Sequence, residues 1–315
     1  MARYWPVAVV AFLFSSMASA FQPTFSSGID LVHISVTVLD RDGQPVTGLN
    51  AVDFELFEDG ELQQVAYFAR GLSSNSDVMP VHLGLLLDAS GSMAQDDRFQ
   101  KTAAIKFLRA LDYAADTTVV DFDTEVRVGR YGRDGFPRLV ERIRASRPSG
   151  DTALYDALGV YLDGAFEQDG RKILVLYTDG EDTRSQMSFE DARDLLRASD
   201  VTVYAIGLQR YLRAGSRQRQ RMFLEELTDS TGGHAYFPQE TDELDGIYEQ
   251  IEAELNARYS IGFISTNVVT DGSWRRLEVR LRSQSEDLRR AEIRSRDGYY
   301  AAYVEETSPL GSRPR

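Results

Sequence analysis

The chain has 315 residues, no cysteine and a formal net charge of −14 at pH 7. The lack of cysteine excludes disulfide bonds and thiolate metal sites, and the acidic balance disfavours nucleic acid as a partner, because nucleic-acid-binding surfaces are basic. A chain of this length with 43% apolar residues is expected to form two compact units, or one elaborated unit, stabilised by core packing alone.

Residues 1–20 have the pattern of a secretory signal peptide. Arg3 gives a positive start, residues 6–14 are apolar, and Ala18-Ser19-Ala20 is a small-x-small cleavage site. The alternative is an uncleaved membrane anchor, but the apolar run is shorter than the ~20 helical residues that cross a bilayer. We therefore expect an exported protein, periplasmic or at the cell surface, with no membrane span after signal cleavage.

Residues 21–79 are predicted to be a β segment followed by a linker. Residues 29–39 alternate between apolar and polar side chains, as a half-buried strand does. A hairpin is predicted from 54–57 and 63–68, because a turn sequence separates two short apolar runs. Residues 71–79 are polar and are predicted to be a linker. These strands are too few to close a β-sandwich by themselves.

Strand and helix patterns alternate from residue 80 to residue 257. Residues 81–87 and 172–177 are continuous apolar runs, typical of parallel strands that are covered on both faces. Further strands are predicted at 117–122, 125–128, 201–206 and 234–237. Helices are predicted from Asp97 onward and at 139–144, 153–166, 189–198, 219–227 and 244–255. This order predicts an α/β fold with a doubly wound, mostly parallel sheet, which binds ligands at the C-terminal ends of its strands.

The pattern after residue 257 is again β. Strands are predicted at 259–264, 276–281 and 291–294, and residues 304–315 are predicted to be a disordered tail. Neither flanking segment has enough strands for a fold of its own. We therefore expect 258–303 to pack with 29–70 as one small β domain, into which the α/β domain of residues 80–257 is inserted.

Three motifs place oxygen-bearing side chains at the predicted C-terminal edge of the sheet. Asp88, Ser90 and Ser92 follow the first buried strand as D-x-S-x-S, Thr152 lies in a glycine-containing loop before a helix, and Asp179 follows the strand at 172–177. A set of two carboxylates and three hydroxyls favours a hard cation, Mg²⁺ first, with Mn²⁺ or Ca²⁺ as substitutes. The alternative is that D-x-S-x-S only caps a helix, since Asp and Ser are preferred at that position.

The motif D-x-S-x-S after a buried strand resembles the metal-ion-dependent adhesion site of von Willebrand factor A domains. The stretches 36–49 and 53–60, with 259–263, 274–280 and 294–301, resemble the flanking segments of bacterial exported proteins that contain such a domain. The resemblance therefore covers nearly all of the mature chain. It implies the fold of that family, a Rossmann-like doubly wound sheet.

The resemblance also implies a mode of binding. The metal would be held by five residues, and its sixth position would be left open for an Asp or Glu of a protein partner. In this family the last helix moves when the metal site binds its ligand, which here would be the helix at 244–255. The five implied ligands are Asp88, Ser90, Ser92, Thr152 and Asp179.

Three functions remain open from the sequence. An adhesion or protein-interaction module is favoured over a metal-dependent hydrolase, because the chain has no G-x-S-x-G, H-E-x-x-H or phosphate-binding loop, and no histidine near the motif. We therefore predict that the protein is not an enzyme. A structural periplasmic protein with a stabilising metal is the third function. The arginine-rich stretch at 210–221 is either a solvated helix face or a site for an acidic partner.

Overall fold

The computed structural model describes residues 31–71, 80–180, 182–282 and 288–303. The predicted signal peptide at 1–20, the predicted tail at 304–315 and most of the predicted linker lie outside these described residues. The described residues belong to one compact unit, Leu31–Arg315. A search of this part of the chain finds no helix long and apolar enough to cross a membrane.

The elements follow the predicted order. The first four strands are β1 (Leu31–Leu39), β2 (Phe54–Glu58), β3 (Glu61–Gln63) and β4 (Val65–Arg70). The alternating part contains β5 (Val81–Asp88), α1 (Asp97–Ala110), β6 (Asp116–Phe122), β7 (Val126–Gly132), α2 (Phe136–Ala145), α3 (Leu154–Phe166), β8 (Arg171–Thr178), α4 (Phe189–Ala198), β9 (Val201–Gly207), α5 (Ala214–Asp229), β10 (His234–Tyr236) and α6 (Glu243–Ala257). The chain continues with β11 (Tyr259–Ile264), β12 (Trp274–Leu281), β13 (Glu292–Arg294) and β14 (Gly298–Tyr300).

The central sheet has six strands in the order β10-β9-β8-β5-β6-β7. All neighbouring pairs are parallel except β6 and the edge strand β7. Alternate residues of β5 enter different cores: Leu85 packs with α1, α2 and α6 on one face, and Leu86 packs with α3, α4 and α5 on the other. Because both faces are covered, β5 and β8 have apolar side chains at successive positions. The predicted α/β fold class is confirmed.

A glycine in the middle of β5 allows this close packing. A Cβ atom on Gly84 would lie 2.3 Å from the ring of Tyr161 and 2.7 Å from the side chain of Leu174. Both neighbours are buried. The strand therefore needs a glycine here because of what packs over it, and not because of its backbone conformation.

The flanking segments form two further antiparallel sheets with the orders β13-β1-β11-β4 and β14-β12-β2-β3. Both sheets combine strands from the two ends of the chain: Val36 lies opposite Tyr259, and Phe54 lies opposite Leu281. Their apolar side chains share one core that includes Ile34, Leu56 and Phe263. The predicted additional β unit made by both flanks is therefore confirmed as part of the fold class. The limits drawn at residues 80 and 257 for an inserted domain stay a prediction.

The predicted hairpin of 54–57 and 63–68 is wrong in its second half. β3 pairs with β2, as a hairpin requires, but the chain then leaves this sheet and β4 pairs with β11 in the other one. Gln63 is buried and bonds to Thr266, whereas the next residue is exposed and belongs to neither strand. The stretch 63–68 therefore spans the end of one strand and most of the next, and the two strands lie in different sheets.

Candidate metal site at the edge of the sheet

Two aspartates come together at the C-terminal ends of β5 and β8. These strands are neighbours in parallel register, with Leu87 opposite Tyr177, so the residues that follow them meet at one edge. Asp88 is the last residue of β5 and is fully buried, and Asp179 directly follows β8 and is 4% exposed. The sequence prediction that both carboxylates lie at strand ends agrees with this placement.

The environment of Asp88 is unfavourable for its negative charge. Burial, followed by the charge of Asp179, raises the pKa of Asp88 to about 7 from an ordinary value of 3.8. The backbone N–H of Ser90 donates to Oδ1 at 3.0 Å, and the hydroxyl of Thr178 donates to Oδ2 at 2.6 Å, both of which lower the pKa. A cation between the two carboxylates would remove their repulsion.

The two serines of the motif lie on one short turn of helix. Ser90 is the N-cap of a 3₁₀ helix at Gly91–Gln95, but its side chain makes no capping hydrogen bond. Its Oγ atom instead lies 3.0 Å from the Oγ of Ser92. Ser90 is buried and Ser92 is exposed. The capping explanation of the motif is therefore not supported for Ser90, whose hydroxyl faces the other serine.

The loop that contains Thr152 is attached to the loop that follows Asp88. The N–H of Ser149 donates to the carbonyl of Ala89 at 2.8 Å, and the N–H of Gly91 donates to the carbonyl of Gly150 at 3.0 Å. Gly150 has a φ of +71°, and a Cβ there would lie 2.3 Å from the hydroxyl of Thr124. Glycine is needed at this position for its left-handed conformation and for the close contact.

Thr152 itself is held from the other side by the loop after β8. Its N–H donates to the hydroxyl of Thr183 at 3.0 Å, and its carbonyl accepts from the N–H groups of Thr183 and Arg184 at 2.9 and 3.0 Å. Thr152 is 4% exposed. The three loops that carry the five predicted ligands are thus joined by backbone hydrogen bonds.

Sequence reasoning missed two residues of this site. Thr178 donates to Asp88 at 2.6 Å, and its position next to Asp179 was the only available signal. Asp96 is 5% exposed, and its Oδ1 atom is buried without a hydrogen-bond partner. Burial raises the pKa of Asp96, while Arg210 opposes this effect and Asp179 adds to it. The sequence marked Asp97 as the start of α1, whereas Asp96 is its N-cap.

The donor set fits a hard cation bound through both carboxylates and hydroxyls. The described residues contain no group of three or more His, Cys, Asp or Glu side chains suited to a metal. A metal at this edge would therefore depend on Ser90, Ser92 and Thr152 as well as on the two aspartates. Oxygen ligands of this kind suit Mg²⁺, Mn²⁺ and Ca²⁺.

The sequence model of the von Willebrand factor type A domain matches residues 82–250, more than half of the chain. The chain belongs to the von Willebrand factor type A domain family. The family prediction made from D-x-S-x-S is confirmed. A comparison with curated proteins gave no match.

Solved structures of the family and of related proteins resemble this chain at low identity. A von Willebrand factor type A protein from Catenulispora acidiphila is 14% identical over 90% of this chain and 76% of its own, with a TM-score of 0.47. BatB from Bacteroides thetaiotaomicron is 17% identical over 54% of this chain and 97% of its own, with a TM-score of 0.43. The pilus adhesin SpaC from Lactobacillus rhamnosus GG is 11% identical over 85% of this chain and 48% of its own, with a TM-score of 0.47.

The arginine-rich stretch lies beside the candidate site in this family member. Gln220 of α5 donates from Nε2 to the carbonyl of Thr178 at 3.1 Å, which attaches the helix to the end of β8. Arg210 lies over the ring of Phe99, with 5.8 Å between the guanidinium carbon and the ring centre. Arg213 and Arg217 are exposed. Arg210, whose charge acts on Asp96, therefore borders the candidate site.

Proposed function

We propose that this protein is an exported protein-interaction module that binds its partner through a divalent cation. The cation, Mg²⁺ by preference with Mn²⁺ or Ca²⁺ as substitutes, would be held by Asp88, Ser90, Ser92, Thr152 and Asp179. When bound, it supplies an electrophilic centre for a carboxylate oxygen of a partner Asp or Glu. The observation that supports this proposal most strongly is the burial of two mutually repelling carboxylates, Asp88 and Asp179, at one sheet edge.

The residues of the chain would divide the work of binding. Thr178 and the N–H of Ser90 orient the Asp88 carboxylate through hydrogen bonds. The paired hydroxyls of Ser90 and Ser92 offer lone pairs, and the backbone bonds of Thr152 keep its loop in place. Exposed arginines in the stretch 210–221 would favour a partner that has further acidic residues near the bound carboxylate.

Capture of a partner is favoured over hydrolysis because the described residues place no histidine beside the five proposed ligands. The chain has three histidines, and none contacts the five proposed ligands. His82 lies near the opposite end of β5, where it bonds to Asp116 at 3.0 Å and to the carbonyl of Asp169 at 2.9 Å. Hydrolysis at a metal needs a positioned nucleophile or general base beside it. We therefore expect no hydrolase activity.

Metal binding is tested on the mature chain by titration with Mn²⁺, followed by electron paramagnetic resonance. Asp88→Asn should abolish saturable binding, because it removes a buried charge from the ligand set. Asp151→Asn is the matched control, since Asp151 is exposed in the adjacent loop and is not a proposed ligand. Equal Mn²⁺ affinity of the Asp88→Asn variant and the wild type would exclude this site.

Partner capture is tested separately on immobilised protein exposed to a cell-envelope extract in Mg²⁺. Proteins that elute with a chelator, that are absent with Asp88→Asn and that are retained with Asp151→Asn would support the proposal. Converting the carboxyl groups of the extract to amides should prevent their binding. If Mn²⁺ binds but no protein elutes specifically with the chelator, the cation has a stabilising role instead, which is the alternative function.

A further inference from the structure

A second feature lies at the other end of the central sheet, away from the candidate metal site. It is a cavity of about 480 Å³ between the first residues of β8 and β9 and the strands β1 and β11 of the flanking unit. Its wall includes Arg171, Thr202, Ser260 and Arg296. A cavity of this volume is in the range that holds small molecules.

Three arginines from different elements line this cavity, and their hydrogen bonds to described residues go only to neutral groups. Arg171 donates to the carbonyl of Gly71 at 2.8 Å, and Arg296 donates to the carbonyl of His33 at 2.7 Å. Arg258 is 5% exposed, and its hydrogen bonds go to hydroxyl groups of Thr37, Thr202 and Tyr204. Among the described residues, none of the three has a carboxylate within ion-pair distance, 4.0 Å.

The other charged groups of the wall are either paired or exposed. Lys172 is paired with Asp200 at 2.7 Å, and Arg197 is paired with Asp297 at 2.8 Å. Asp169 is exposed. The three arginines therefore leave an excess of positive charge in the cavity, although the whole chain has a net charge of −14.

The electrostatics of these arginines are consistent with a missing counter-charge. Burial lowers the pKa of Arg171, and the neighbouring Arg258 lowers it further. Burial also lowers the pKa of Arg296, although Asp200 acts in the opposite direction. Taking a guanidinium out of water without a paired anion is costly.

A purely structural reason explains only part of this cluster. Arg258 directly follows α6, where a cation interacts favourably with the helix C-terminus. Arg171 is the first residue of β8, and Arg296 lies between β13 and β14, so neither follows a helix. A negatively charged ligand would give all three arginines the counter-charge that these hydrogen bonds do not supply.

We propose that this cavity binds a small organic oxyanion that carries about two negative charges as a phosphate or as paired carboxylates. Guanidinium groups bind both kinds of group through paired N–H donors. The cavity is larger than one phosphate ion needs, so the ligand has further atoms that contact the apolar wall around Ile34 and Ile173. This site is separate from the proposed metal site and does not depend on it.

The test uses the mature chain in the presence of a chelator, so that the metal site cannot contribute. Binding of inorganic phosphate and of succinate is measured by calorimetry, and the thermal midpoint is measured at constant ionic strength in phosphate, succinate and chloride. Saturable binding with a dissociation constant below about 10 mM is expected for at least one of the two probes. The probe that binds more tightly identifies the charged group of the ligand.

Two substitutions should weaken this binding by about ten-fold each, Arg171→Gln and Arg296→Gln. Arg138→Gln is the matched control, because Arg138 is exposed on α2 and does not line the cavity. No saturable binding of either probe by the wild type, or equal affinities in all three variants and the wild type, would overturn the proposal.

A second pair of variants keeps the test decisive if the arginine variants do not fold. Ser260→Asp places a carboxylate in the cavity wall, and Ser260→Asn places a neutral group of the same size there. The aspartate should raise the thermal midpoint without added anion and should abolish the response to phosphate or succinate. An anion response that is equal in both Ser260 variants would refute an anion site formed by these arginines.

Discussion

At the C-terminal ends of β5 and β8, two buried carboxylates lie among hydroxyl groups, whereas at the N-terminal ends of β8 and β9 three arginines surround a cavity. Both places are edges of the same parallel sheet. The carboxylates repel each other, and the arginines lack paired anions, so each edge has charges that its own residues do not balance. A sheet that is covered on both faces leaves the ends of its strands accessible, and the two ends of this sheet carry unbalanced charges of opposite sign.

The end of the sheet that carries Asp88 and Asp179 is called the acidic edge, and the end that carries Arg171, Arg258 and Arg296 is called the basic edge. The largest effect is expected from a change at the acidic edge. Asp179→Asn should weaken Mg²⁺ affinity by about 100-fold, because it removes one of the two negative charges that attract the cation. The phosphate or succinate affinity of the opposite cavity should not change. Calorimetric titrations of the same preparation with Mg²⁺ and with the anion check both statements, and a joint loss would show that the two edges are not separate sites.

The acidic edge should also respond to pH in a direction that the basic edge does not share. A carboxyl group whose pKa is raised by folding stabilises the folded state while it is protonated. For Asp88 in the metal-free protein, this stabilisation is complete below an ordinary pKa of 3.8 and is lost as the pH rises to about 7. In the presence of a chelator, the thermal unfolding midpoint should therefore fall less steeply with rising pH in Asp88→Asn than in the wild type.

Mg²⁺ affinity should rise as Asp88 loses its proton, whereas the stability of the metal-free protein should fall. Because the cation binds the ionised carboxylate, affinity should fall by about ten-fold for each pH unit below 7. Titrations at several pH values measure this slope. A flat profile between pH 5 and pH 7 would contradict the environment assigned to Asp88.

A smaller effect is expected from the group that orients Asp88. Thr178→Val keeps the shape of the side chain and removes the hydroxyl that donates to Oδ2 at 2.6 Å. A hydrogen bond to a charged group contributes about 1.5 kcal/mol, so Mg²⁺ affinity should fall by about ten-fold. Thr118→Val is the control, because Thr118 is half-buried on β6, which lies beside β5 in the same sheet. An unchanged affinity for Thr178→Val would remove Thr178 from the site.

The smallest effect concerns the coupling between the edges. α6 packs in the core beside α1 and ends at the cavity: the hydroxyl of Tyr248 donates to the carbonyl of Ala103 at 2.8 Å, and Arg258 follows the end of the helix. If the edges are independent, the changes in the free energy of unfolding caused by Asp179→Asn and by Arg171→Gln should add in the double variant to within about 0.5 kcal/mol. A larger deviation, measured by denaturant titration, would indicate that α6 transmits changes between them.

The local pattern of the sequence determined much of the architecture and the placement of Asp88 and Asp179 at one end of the sheet. The continuous apolar runs at 81–87 and 172–177 require strands that are covered on both faces, and the alternation of strands and helices then requires a doubly wound parallel sheet. Because parallel strands end at the same edge, Asp88 and Asp179 could be placed together from sequence alone. The D-x-S-x-S motif, together with Thr152 and Asp179 at the predicted ends of the strands, indicated the family to which the chain belongs.

The tertiary structure decided what depends on contacts between distant parts of the chain. Residues 63–68 are predicted as one strand, but Gln63 ends a strand of one sheet and Val65 begins a strand of another, because periodicity defines the buried face of a strand and not its partner. The orphaned carboxylate oxygen of Asp96 follows from packing around α1. Arg171, Arg258 and Arg296 share no motif or spacing, and only the pairing of β1 with β11 and the packing of the flanking sheets bring them to one cavity.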